Sequence, residues 1–94
     1  MANTVKVHIP GELRAQVGSQ NEIELTGGSI KEVLGVLAAR YPVLGKRLFA
    51  ADGQINRFVN VYLNDEDIRF LENLDTTLGD GDEISIVPAI AGGL

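Results

Sequence analysis

The clearest helical repeat in this chain runs from Ser29 to Tyr41, and it is fenced at both ends. Ile30, Val33, Leu34, Leu37, Ala38 and Tyr41 recur at the spacing that gathers apolar side chains into one stripe of a helix. Ser29 stands at the N-cap with Glu32 three residues on, a pairing in which each side chain satisfies an orphan backbone N–H. Arg40 complements the dipole at the far end, and Pro42 bars continuation. A single amphipathic helix can cover one face of a sheet, so most of the other apolar residues are expected in strands.

The flanking segments alternate as strands do. Residues 4–9 place Val5, Val7 and Ile9 on one face with Lys6 and His8 on the other, and Pro10-Gly11 stops the run. Residues 22–26 bury Ile23 and Leu25, and the polar, Gly-containing stretch between makes an antiparallel hairpin with a longer loop. Residues 57–63 offer Val59, Val61 and Leu63 as a core face, which turns Phe58, Asn60 and Tyr62 outward. Residues 43–56 read as irregular, with a short helical turn near 46–49 and a turn at Ala51-Asp52-Gly53. Asn64-Asp65 is turn chemistry, residues 68–70 suit a short strand, and Gly79-Asp80-Gly81-Asp82 leads into a last strand at 83–87. The order is strand, strand, helix, strand, short strand, strand, which predicts a two-layer α+β sandwich.

Composition narrows the function classes. Ninety-four residues suit one domain, and 45% hydrophobic content with 5% aromatics implies a core of small aliphatic side chains. A net charge of -5 disfavours nucleic acid or an anionic membrane as the main partner, and Lys6, Lys31 and Lys46 are too dispersed for a nucleic-acid stripe. Partners with basic docking surfaces are favoured. No cysteine is present, which removes disulfides, thiolate metal sites and a cysteine nucleophile. With no signal-peptide pattern and no membrane-length apolar run, a soluble cytoplasmic protein is expected. Gly27-Gly28 lacks the following Lys-Ser/Thr of a phosphate loop.

The chain closes on Ile90-Ala91-Gly92-Gly93-Leu94. Pro88 cannot donate a ladder hydrogen bond, so pairing should lapse there, giving a folded domain over residues 1–88 and a flexible tail over 89–94. Small residues let such an arm lie in a narrow channel, since glycine lacks a Cβ and allows close approach.

The element order with a terminal Gly-Gly resembles the β-grasp fold of ubiquitin and of the small bacterial sulfur carriers of the ThiS and MoaD type. The expected form is a mixed sheet of four to five strands packed against one main helix. The block Asp80-Gly81-Asp82-Glu83-Ile84-Ser85-Ile86-Val87-Pro88-Ala89-Ile90-Ala91-Gly92-Gly93 is similar to that family's turn, aliphatic strand, proline and Gly-Gly. Arg57-Phe58-Val59-Asn60-Val61-Tyr62-Leu63-Asn64-Asp65-Glu66-Asp67 resembles the central strand of the CysO-type branch, which serves an alternative cysteine synthesis.

The resemblance implies chemistry at the Gly93 carboxylate, with Gly92, Ala91 and Ile90 lying in a partner's channel. An E1-like adenylating enzyme would use ATP to make an acyl-adenylate, and a sulfur donor would turn it into a thiocarboxylate. The chain would then be a protein cosubstrate with no catalytic residues, bound cofactor or metal of its own. A pyridoxal-phosphate-dependent cysteine synthase would accept the sulfur, and a JAB-type zinc metalloprotease would release cysteine from the carrier. Leu94 departs from the pattern and leaves two readings open: a precursor residue awaiting removal, or a vector-derived residue at a tag junction. Other roles within the resemblance are a thiamin-thiazole carrier, the small subunit of molybdopterin synthase, and a ubiquitin-like modifier that forms isopeptide bonds.

Outward-facing Phe58 and Tyr62 are candidates for a docking surface, because aromatic side chains anchor interfaces; scattered surface apolar residues are the plain alternative. His8 reads as a solvated strand residue. Asp65, Glu66 and Asp67 lack the arrangement of a calcium loop and read as a solvated acidic turn.

Overall fold

The computed structural model describes residues 3–88. Strand β1 (Thr4–His8) pairs antiparallel with β2 (Glu22–Thr26) in the register Val5↔Leu25 and Val7↔Ile23, and the four aliphatic side chains are buried together. The connection between them does more than turn. Gly11–Val17 forms a 3-10 helix that puts Leu13 and Val17 into the core, and Gly18 ends it at φ 66°, a left-handed conformation open to glycine.

Helix α1 (Ile30–Arg40) buries Ile30, Val33, Leu34 and Leu37. Ser29 Oγ accepts from the Glu32 N–H at 3.2 Å. The Glu32 carboxylate reaches back to the N–H of Gly28 at 2.6 Å, one residue before the cap. Pro42 ends α1 and also opens a second helix, α2 (Pro42–Leu48), because a proline in the first turn has no intrahelical N–H to lose. Part of the segment expected to be irregular is therefore a short helix that buries Leu44 and Leu48. Gly45 sets its distance from α1: a Cβ there would stand 2.7 Å from the Cβ of Ala38.

The remaining strands are β3 (Val59–Leu63), β4 (Glu66–Asp67) and β5 (Glu83–Pro88), and the five-stranded sheet has the order β2-β1-β5-β3-β4. β5 is central, parallel to β1 and antiparallel to β3. This is the β-grasp arrangement, with the mixed sheet packed against α1. The short strand expected at 68–70 lies earlier. Asn64 and Asp65 both have positive φ, 48° and 73°, which suits a two-residue hairpin turn that starts the return strand at once. Ile68–Phe70 then curls into a 3-10 turn, with Ile68 buried and Phe70 outside.

Candidate functional site

β5 is the element that carries the chain toward its C-terminal end, and its position is over-determined. The turn before it uses Gly81 at φ 87°, and Asp82 Oδ2 accepts from the Gly79 N–H at 2.7 Å. Asp80 Oδ1 accepts from the Thr4 N–H at 2.8 Å, while Gly81 N–H donates to the Thr4 carbonyl at 2.9 Å, tying the turn to the start of β1. Beyond the turn, Ile84 and Ile86 are buried opposite Leu63 and Val61, and Ser85 is half-buried on the other face opposite Tyr62. Pro88 sits across from Val59. The functional residues named by resemblance (Ile90, Ala91, Gly92, Gly93 and Leu94) lie outside the described residues.

Pro88 opens onto a surface cleft. Leu13, Phe58 and Val59 make its apolar part, and Glu12, Lys46 and Arg47 its charged edge. Phe58 is 52% exposed and precedes β3 by one residue. Its ring lies under the Arg57 guanidinium, 5.2 Å from the centroid, a cation–π contact. Tyr62 is half-buried near the other end of β3, opposite Asp67 and Ser85. The two aromatic docking candidates therefore do not share one cleft: Phe58 stands beside Pro88, and Tyr62 does not line that cleft.

The acidic turn needs a correction at Asp67. Asp65 and Glu66 are exposed, but Asp67 is only 8% exposed and caps the 3-10 turn after it. Its carboxylate accepts from the backbone N–H of Arg69 at 2.9 Å and from the guanidinium, whose Nη2 approaches to 2.6 Å and also donates to Asn60 Oδ1 at 3.0 Å. Hydrogen bonds from Arg69 hold the Asp67 carboxyl below the ordinary carboxylate range, against the opposing pull of burial, and the same pair raises Arg69. The pattern of an Asp two residues before an Arg was the available signal. His8 is a partly exposed strand residue, as expected, with Nε2 2.7 Å from Glu83 Oε1 across the sheet.

Two surface features escaped the sequence reading. Phe70, placed there in a strand, is 81% exposed. Lys46, read as an isolated cation, stands with Arg47 at the cleft beside Phe58, because α2 brings them there. Among the described residues no group of three or more His, Asp or Glu is placed to hold a metal ion, and no helix is long and apolar enough to cross a membrane.

The family model described as "ThiS family" matches residues 7–93. The sulfur carrier protein CysO of Mycobacterium tuberculosis is 42% identical over 91 residues, covering 95% of this chain and 98% of the relative. Of solved structures, CysO in the crystal structure of the Amycolatopsis orientalis BexX/CysO complex is similar at 38% identity with a TM-score of 0.86, covering 95% of this chain and 99% of the other. The solution structure of the small archaeal modifier protein 1 from Methanosarcina acetivorans is similar at 33% identity and a TM-score of 0.88, covering 99% of both chains.

Proposed function

This chain belongs to the ThiS family, and from that membership we propose that it is a sulfur carrier whose reactive atom is the carboxyl carbon of Gly93, serving the biosynthesis of cysteine. The observation that carries the proposal is the nearly end-to-end match to a relative named as the sulfur carrier CysO, at 42% identity over 95% of this chain. The family match also runs through Gly92 and Gly93 and leaves Leu94 beyond it.

In this reading an oxygen of the Gly93 carboxylate attacks the α-phosphorus of ATP in the active site of an E1-like partner, and pyrophosphate leaves. A carboxylate is a poor electrophile, whereas the resulting mixed anhydride has a good leaving group. A sulfur nucleophile from a donor then attacks the carbonyl carbon and expels AMP, which leaves a thiocarboxylate. The thiocarboxylate sulfur, still joined to the Gly93 carbonyl carbon, would bond to the three-carbon substrate of a pyridoxal-phosphate-dependent synthase. A JAB-type zinc metalloprotease would then use water to cleave the link to Gly93, which releases cysteine and restores the carboxylate. This chain acts as protein cosubstrate throughout, with the domain of residues 1–88 as handle and residues 89–93 as arm. Leu94, or any residue that follows Gly93, occupies the Gly93 carboxyl group in a peptide bond, so its removal comes first.

ATP–pyrophosphate exchange with the E1-like enzyme of the same genome tests this. The chain ending at Gly93 supports exchange and, with a sulfur donor, shows an oxygen-to-sulfur mass increase, while the chain ending at Leu94 does neither. Equal exchange by both forms overturns the processing step, and no mass increase on the Gly93 form overturns the carrier reading.

The similarity to the small archaeal modifier protein 1 favours a second reading, in which the activated Gly93 forms an isopeptide bond with a lysine of another protein. Adducts of this chain on other proteins after co-expression with the activating enzyme distinguish it from the carrier.

A further inference from the structure

The net charge of -5 is not spread evenly. Asp80, Asp82 and Glu83 gather at the head of β5, with Asp65 and Glu66 on the neighbouring hairpin turn. At the other end Pro88 meets the cleft edged by Lys46 and Arg47 and lined by Phe58, and Arg57, which lines the neighbouring cavity, lies over the Phe58 ring. A strand of this length holds the two ends about 17 Å apart.

Lys46 and Arg47 occupy the last turn of α2, where the helix dipole favours cations. That accounts for two of the three charges. Arg57 comes from the loop before β3, so helix electrostatics do not explain its arrival at the same place. Among the described residues, Lys6, His8 and Arg69 lie within ion-pair distance of carboxylates, whereas Lys46, Arg47 and Arg57, like Arg14, Lys31 and Arg40, do not. Glu12 shares the cleft without pairing with either cation. Two of the charges thus share a cleft with an exposed aromatic ring and the third lies over that ring, beside Pro88, the last described residue.

We propose that Lys46, Arg47 and Arg57 form a basic collar around Phe58 that docks against a carboxylate-lined rim at the mouth of a partner enzyme's channel. The inference rests on the reading that residues 89–93 deliver Gly93 into such a channel. Five residues reach no farther than about 18 Å when fully extended, so the surface that receives the arm must come up close to the collar. Opposite charge at that rim speeds encounter and fixes its orientation, because the acidic head of β5 is turned away by the same field. An overall acidic protein thereby presents a cationic face at its working end.

Stopped-flow association of the full chain with the E1-like adenylating enzyme of the same genome, at about 50 and about 500 mM salt, tests the collar. Lys46→Glu with Arg47→Glu slows association about tenfold at the lower salt, and the gap closes at the higher. Lys46→Arg with Arg47→Lys leaves the rate unchanged. Lys31→Glu with Arg40→Glu, the same change in net charge at exposed positions of α1, slows association less than about twofold. Circular dichroism establishes that each variant is folded. Equal slowing by the two double reversals, or none by the collar reversal, overturns the collar while the carrier reading stands. Failure of the unaltered chain to associate at either salt overturns the carrier reading, and the collar with it.

Discussion

Asn64 and Glu83 exchange two hydrogen bonds: the Asn64 N–H donates to the Glu83 carbonyl at 2.9 Å, and Asn64 Oδ1 accepts from the Glu83 N–H at 3.0 Å. Asn64 Nδ2 adds a third bond, to Asp82 Oδ1 at 3.0 Å. One side chain thus fastens the β3–β4 turn to the first residue of β5. It does so from a left-handed backbone position, φ 48°, that Asn tolerates better than most residues.

Asn64→Gly keeps that backbone conformation and loses the side-chain bonds, which costs about 1 kcal/mol. Asn64→Ala loses the bonds and strains the turn as well, for a total of about 2 to 3 kcal/mol. Urea unfolding of the two variants measures the difference, and equal losses would mean that backbone strain plays no part.

Ile86 is buried in the middle of β5 and Ser85 is half-buried on the opposite face. Ile86→Ala destabilises the domain by roughly 2 to 5 kcal/mol, whereas Ser85→Ala changes it by no more than about 0.5 kcal/mol. Thermal denaturation distinguishes them, and similar losses at both positions would contradict the register of the strand.

Asp67 makes stability depend on acid. Its folded pKa lies below its unfolded value, so its contribution is fully present above about pH 4 and disappears as pH falls through the lower folded value. Arg69 is largely exposed, and water screens the pair, which keeps the contribution small. Asp67→Asn therefore lowers the urea midpoint at neutral pH, and the gap from the unaltered chain narrows as pH falls below about 4. A gap independent of pH would show that the ion pair is not its source.

In the carrier reading, Gly93→Val on the chain ending at residue 93 abolishes adenylation and leaves the melting temperature unchanged, because a β-branched residue blocks a narrow channel while the core, built from residues 5–86, keeps its side chains. Pyrophosphate exchange at the unaltered rate would count against a close-fitting channel.

The parts of the fold that announced themselves were those with a repeating pattern. Val5 and Val7, Ile23 and Leu25, and the stripe from Ile30 to Leu37 are regular enough to be read directly, and all are buried. Short elements were harder. The 3-10 helix that buries Leu13 and Val17, and α2 with Leu44 and Leu48, span seven residues each, too few to separate a helical period from chance. Asp67 reads as solvated because an Asp two residues before an Arg, the one local signal, is too common a pattern to show by itself that Arg69 folds back upon it. Phe58 was named from alternation alone, but its cationic neighbours Lys46 and Arg47 come from a helix elsewhere in the chain. Such a meeting is tertiary and leaves no local trace.

The central place of β5 has a mechanical consequence. A partner that tugs on the C-terminal end loads the strand lengthwise between β1 on one side and β3 on the other. That geometry is shear, in which the bonds of both flanking ladders resist together, and not the unzipping by which an edge strand peels away bond by bond. A lengthwise pull on β5 therefore meets the resistance of two ladders at once.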